Sequence, residues 1–105
     1  MTLDELAERL KEAGFDTAYK CFDHPPDIPF VAYLVPNESH WGDDAKNRLK
    51  KMSVKVELYT DQKDPMSEQT VEALLNFTQF EKSEDYISDE ELYMAVYEFD
   101  IFEKY

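Results

Sequence analysis

Cys21 and His24 flank Asp23 at a spacing that lets a thiolate and an imidazole share one metal ion. A structural zinc site needs four ligands, and the chain has 1 Cys, 2 His and no second motif to complete the set. A buried cysteine beside a turn histidine is the better reading. His40, close before Asp43 and Asp44, has the ingredients of a general base or a calcium loop, but the glycine and alternating oxygen ligands of an EF-hand are missing. A solvated loop is expected there. No Gly-x-Ser-x-Gly, P-loop or dinucleotide fingerprint occurs, and a chain with 2 Gly has no phosphate-cradling loop. The expectation is therefore a non-enzyme with no cofactor and no metal.

Charge is more informative than chemistry. Acidic residues number 24 and basic ones 11, which leaves −13 on 105 residues. From Val71 onward the acids Glu72, Glu81, Glu84, Asp85, Asp89, Glu90, Glu91, Glu98, Asp100 and Glu103 face only Lys82 and Lys104. By contrast, Lys46, Arg48, Lys50, Lys51 and Lys55 cluster in one short stretch. Phosphate contacts supply much of the affinity for nucleic acid, so such a field argues against binding DNA or an anionic membrane. It suits solubility, docking on basic protein surfaces, or lining a path that DNA traverses without sticking. The run 81–85 with 89–91 fits a docking surface or a DNA-mimicking strip, with a solvated hairpin tip as the favoured reading.

These residues need a scaffold. Folding a chain of this length removes roughly two-thirds of its unfolded surface from water, enough for one core. With 43% hydrophobic residues, 7 Phe and 7 Tyr, disorder is not expected. A single cysteine rules out an internal disulfide, and the N-terminus lacks the pattern of a signal peptide, so a soluble, cytosolic origin is the simplest expectation. Thr2 and Glu5 form a capping box ahead of a helix over 3–13, with Leu3, Leu6, Ala7 and Leu10 on one face and Gly14 as its stop. Extended segments follow at 17–22 and 29–35, the second ended by Pro36, and then a loop at 37–44 carrying Trp41. Met52, Val54, Val56 and Leu58 alternate with polar residues in a strand over 47–60. Asp64-Pro65 opens a second helix, with Val71, Leu74, Leu75 and Thr78 facing inward. An extended segment at 79–86 turns into a last strand over 92–102, apolar on both faces and so central or doubly covered.

The expected fold is one α+β domain of order α-β-β-β-α-β-β, a mostly antiparallel sheet whose neighbours are joined by hairpins, with two helices on one face. Length adds one constraint. An unbroken strand over 47–60 would span roughly 45 Å at ~3.4 Å per residue, against about 33 Å for a compact domain of ~13 Å radius of gyration. A β-hairpin or loop arm around 35–51, tipped by Trp41, is expected to project from the domain.

The stretch 54–65 (Val-Lys-Val-Glu-Leu-Tyr-Thr-Asp-Gln-Lys-Asp-Pro), with Glu68, Leu74 and Leu75, resembles small tail-region proteins of Gram-positive phages and prophages. The ending Phe80-Glu81-Lys82-Ser83-Glu84-Asp85-Tyr86-Ile87, with Glu91-Leu92-Tyr93 and Tyr97-Glu98-Phe99, is similar to the same group, as is Pro29-Phe30-Val31-Ala32-Tyr33-Leu34. The element order also resembles the tail-terminator and head–tail joining fold. That resemblance covers most of residues 25–100 and offers no catalytic residues to carry over. It implies a virion structural protein that forms a ring, commonly hexameric, at the tail end or head–tail joint. The implied partners are its own copies, tail-tube proteins and neck or connector proteins, met in the host cytoplasm during assembly and kept in the virion.

The interaction surface expected on this reading comprises His40, Trp41, Asp43, Asp44, Lys46, Arg48, Lys50, Lys51, Glu84, Asp85, Asp89, Glu90, Phe102 and Tyr105. Opposite charges in different places would let copies pair head to tail. Of the terminal apolar residues Phe99, Ile101, Phe102 and Tyr105, some are expected to be covered by a partner. The competing reading, resting on charge alone, is an acidic DNA-mimic inhibitor of a host defence or DNA-binding protein. A small-molecule enzyme would require a polar pocket that the sequence does not announce.

Overall fold

The computed structural model describes residues 1–42 and 48–104. Among these the order is α1 (Leu3–Glu12), β1 (Asp16–Tyr19), β2 (Phe30–Trp41), β3 (Leu49–Thr60), α2 (Pro65–Leu74), β4 (Glu81–Ile87) and β5 (Leu92–Lys104). The chain is thus α+β in the expected order, and its strands form one sheet arranged β1-β2-β3-β5-β4.

Both helices begin where side chains satisfy backbone donors. The Thr2 hydroxyl accepts from the Glu5 N–H at 3.1 Å while the Glu5 carboxylate accepts from the Thr2 N–H at 3.3 Å. The Asp64 carboxylate accepts from the Ser67 N–H at 3.2 Å, with Pro65 in the first turn, where its missing donor costs nothing. Gly14, at φ +104°, stops α1 in a conformation that residues with a Cβ avoid.

The helices bury Leu6, Leu10, Val71 and Leu75 against one face of the sheet. Met52, Val54, Val56 and Leu58 of β3 meet them there, beside their cross-strand partners Ile101, Phe99, Tyr97 and Ala95 of β5. This alternation was legible in β3, whose intervening residues are only partly buried. β5 lies between β3 and β4, the central place expected of it, and toward the arm its open side carries the exposed Glu98 and Asp100. Phe99 and Ile101 are core residues, so of the terminal apolar group only Phe102, 57% exposed, is shown open to a partner. Tyr105 lies outside the described residues.

Four expectations need correction. β1 is shorter than expected and pairs parallel to β2, Asp16 opposite Phe30 and Tyr19 opposite Tyr33, so a crossing segment and not a hairpin joins them. Pro36 does not end β2. The register jumps from Leu34↔Lys55 to Asn37↔Ser53, so Val35 and Pro36 together oppose Val54 in a β-bulge, a place where proline is tolerated. Trp41 therefore closes a strand and does not sit in a loop. β5 in turn continues past Phe102 to Lys104.

The sheet is long and narrow. Its extents are 49 × 25 × 23 Å with a radius of gyration of 14.9 Å, above the ~13 Å usual for this length. Residues 37–41, 49–53 and 100–104 form a three-stranded extension at one end, and the β4–β5 turn lies at the other. Among the described residues no helix is long and apolar enough to cross a membrane.

Candidate functional site

The bulge decides what the three-stranded arm displays. Before it, Val31, Tyr33 and Val35 belong to the helix-covered side; unbroken alternation would send Trp41 there too. The extra residue reverses the parity. Glu38 and His40 now share the covered side with Met52 and Lys50, and Ser39 and Trp41 share the open side with Lys51 and Leu49. Phe102 and Lys104, opposite Lys51 and Leu49, complete the open side. Trp41 is 48% exposed there. His40, Trp41, Gly42 and Arg48 line a shallow hollow of about 230 Å³ at the arm's end.

Charges along the arm are mostly balanced. Lys50 lies 3.5 Å from Glu103, Lys51 lies 3.8 Å from Asp100, and the His40 ring nitrogen Nε2 is 2.6 Å from a Glu38 carboxylate oxygen. Such exposed pairs fix orientation more than they stabilise, each contributing about 0–1 kcal/mol. Asp43, Asp44 and Lys46, also expected on this surface, lie outside the described residues.

The far end carries acid without that balance. Asp89 and Glu90 are exposed in the turn joining β4 to β5, and Asp85 is exposed on β4 with its carboxylate accepting from the Tyr86 N–H at 2.8 Å. The two expected charge groups thus sit at opposite ends of the long axis, separated by the length of β5, about 40 Å at ~3.3 Å per residue. Side-by-side copies of one orientation keep them apart; end-to-end contacts bring them together.

Glu84, also expected on the interaction surface, takes part in an ion-pair network. It receives a short hydrogen bond from Lys63, which also donates to Glu68 at 2.9 and 3.2 Å. Lys82 donates to Glu68 at 2.6 Å and to Glu72 at 2.9 Å, and the Tyr97 hydroxyl donates to Glu72 at 2.9 Å. Glu68 is 3% exposed, so this network of α2, β4 and β5 clamps the edge strand to the helix. Hydrogen bonding to Glu84 and Glu68 holds the Lys63 ammonium above its usual range, and bonding to Glu68 does the same for Lys82 against the opposing effect of burial. Burial pushes the Glu72 carboxyl up, but Lys82 and Tyr97 outweigh it and its pKa falls; Lys63 and then Tyr93 lower that of Glu84. Burial, then the bond to Glu72, raises the Tyr97 phenol. The sequence signal was there, since Glu68 and Glu72 stand one helical turn apart on α2, but sequence does not show that Lys82 reaches both.

Cys21 and His24 are both exposed, which corrects the expectation of a buried cysteine. Among the described residues no group of three His, Cys, Asp or Glu side chains is placed to hold a metal. An open trough of about 500 Å³ crosses the sheet where β4 begins, lined by Pro36, Phe80 and Phe99 and by Lys55, Glu81, Glu98 and Asp100. The Ser53 hydroxyl donates to Asp100 at 3.3 Å in its wall, with no histidine lining the trough to act as a base.

No protein-family model matches the chain, and no curated protein matches it in sequence. Among solved structures it shares its fold with a chain of the virion of a native gene transfer agent particle. The TM-score is 0.58 at 10% identity, covering 98% of this chain and 89% of the other.

Proposed function

We propose that this chain is a structural protein of a phage-like virion, assembling with its own copies into a ring at the tail end or head–tail joint. The likeness of fold to a gene transfer agent virion chain over nearly its whole length carries this reading. An elongated subunit with an aromatic, charge-paired arm at one end and an acidic turn at the other supports it. Copies standing side by side would present different surfaces to the partners above and below them, as a joint between tail tube and connector requires. On this reading the protein acts in the virion, gathers in the host cytoplasm, and is not a catalyst. The placement at a tail end rests on the sequence resemblance and not on the fold.

Mixing the purified chain with tail tubes or connectors and examining the product by electron microscopy should reveal rings. A chain that stays monomeric under those conditions and is missing from purified virions would overturn the reading. The DNA-mimic alternative loses support from the geometry, because Glu84 is engaged by Lys63 and Lys82 interrupts the acidic strip. A mimic needs its carboxylates free and spaced as phosphates.

A further inference from the structure

We infer that copies of this chain join arm to arm, the outer edge of β2 in one copy lying parallel to the outer edge of β5 in the next. This places Trp41 of one copy against Phe102 and Lys104 of its neighbour. The inference rests on the ring reading above and names its lateral contact.

Three observations lead to it. First, the arm has two different edges. β1 accompanies β2 only from Phe30 to Tyr33, and β4 accompanies β5 only as far as Glu98, so among the described residues no strand flanks 37–39 on one side or 100–104 on the other. Such edges are templates for pairing. Second, the exposed aromatics are placed to meet only between copies. Trp41 and Phe102 share the open side, but β3 stands between their strands, so within one molecule they are ~10 Å apart laterally; strands of adjoining copies would be ~4.8 Å apart. In line across the arm, the row Trp41–Leu49–Lys104 continues into the next copy's Trp41, setting an ammonium beside an indole. Third, the two outermost strands offer poorer edges: β1 is four residues long, and β4 is exposed and carries Glu81 and Asp85, so two β4 edges repel each other.

Both β2 and β5 run antiparallel to β3 and therefore point the same way. Pairing them between copies needs no reversal of the molecule. It joins unlike surfaces and repeats around an axis, which is the condition for a closed ring and not for a two-fold dimer.

Bismaleimide cross-linking of single-cysteine variants, in a Cys21→Ser background, tests it. Ser39→Cys alone and Lys104→Cys alone should give no cross-linked product. Their mixture should give a dimer, and the double variant a ladder ending at the ring size, all with unchanged thermal midpoints. Dimers from either single variant would overturn the inference in favour of two-fold pairing. Rings seen by electron microscopy on tail tubes without any ladder would place the lateral contact elsewhere and leave the ring reading standing. Neither rings nor ladder would remove both. As a check independent of new thiols, Phe102→Asp in the otherwise native chain should abolish rings on tail tubes while the folded monomer persists; intact rings would count against the inference.

Discussion

Trp41 and Phe102 occupy the same side of the sheet on the two strands that flank β3, each about half exposed at 48% and 57%. Neither belongs to the buried core cluster. Their removal should therefore act on association and leave the fold alone.

Trp41→Ala should shift the unfolding free energy by no more than about 0.5 kcal/mol, the range for surface positions away from special contacts. Ring formation on tail tubes should fall by tenfold or more, since aromatics central to an interface cost over ~1 kcal/mol when truncated. Calorimetry of the monomer and particle counts by electron microscopy check the two halves. A large fall in monomer stability would show that the indole supports the core.

Glu68→Ala should destabilise the domain by about 2 kcal/mol. Removing a buried partner of charged donors costs ~1–3 kcal/mol, moderated here because Lys63 keeps Glu84 and Lys82 keeps Glu72. Urea unfolding gives the magnitude. Hydrogen exchange should show the loss concentrated in β4, the strand that the network holds to α2.

The same network sets a pH dependence. Glu72 and Glu84 have folded-state pKa values below their unfolded ones, so their stabilisation is present above the unfolded carboxylate range, ~4.3, and is lost as pH falls through the folded values. Lys63 and Lys82 are raised, so their contribution is complete below the ordinary lysine value of 10.5 and disappears as pH rises through the folded values. The thermal midpoint should be flat between about pH 5 and 9 and fall on either side. Replacing Lys82 by Met should flatten the acid limb.

Cys21, being exposed, should react with a thiol reagent in the folded protein without denaturant, one equivalent per chain. A reaction that waits for denaturant would mean that the segment between β1 and β2 covers it.

Much of the scaffold was legible because its signals are local. The Thr2–Glu5 box, the Asp64-Pro65 start and the alternation from Met52 to Leu58 each follow from residues a few positions apart. What escaped depends on pairing across the sheet. Pro36 reads as a strand breaker until Val35 and Pro36 are seen sharing one partner, and only that bulge decides on which side Trp41 stands. Glu84 looked like a free docking acid because nothing in the sequence brings Lys63, 21 positions away, to its carboxylate. The parallel β1–β2 pair was missed for a related reason: the prolines at 25, 26 and 29 mark a turn, but not that the chain crosses back before re-entering the sheet.

β5 runs nearly the full length of the molecule, and every residue of β3 pairs with it from Leu49↔Lys104 to Thr60↔Tyr93. A force drawing the arm away from the acidic turn would load this ladder along the strands. Hydrogen bonds that lie across the pull are sheared together and cannot be unzipped one at a time. The subunit would therefore carry tension between its two ends as a stiff tie, yielding first at the contacts it makes with other chains.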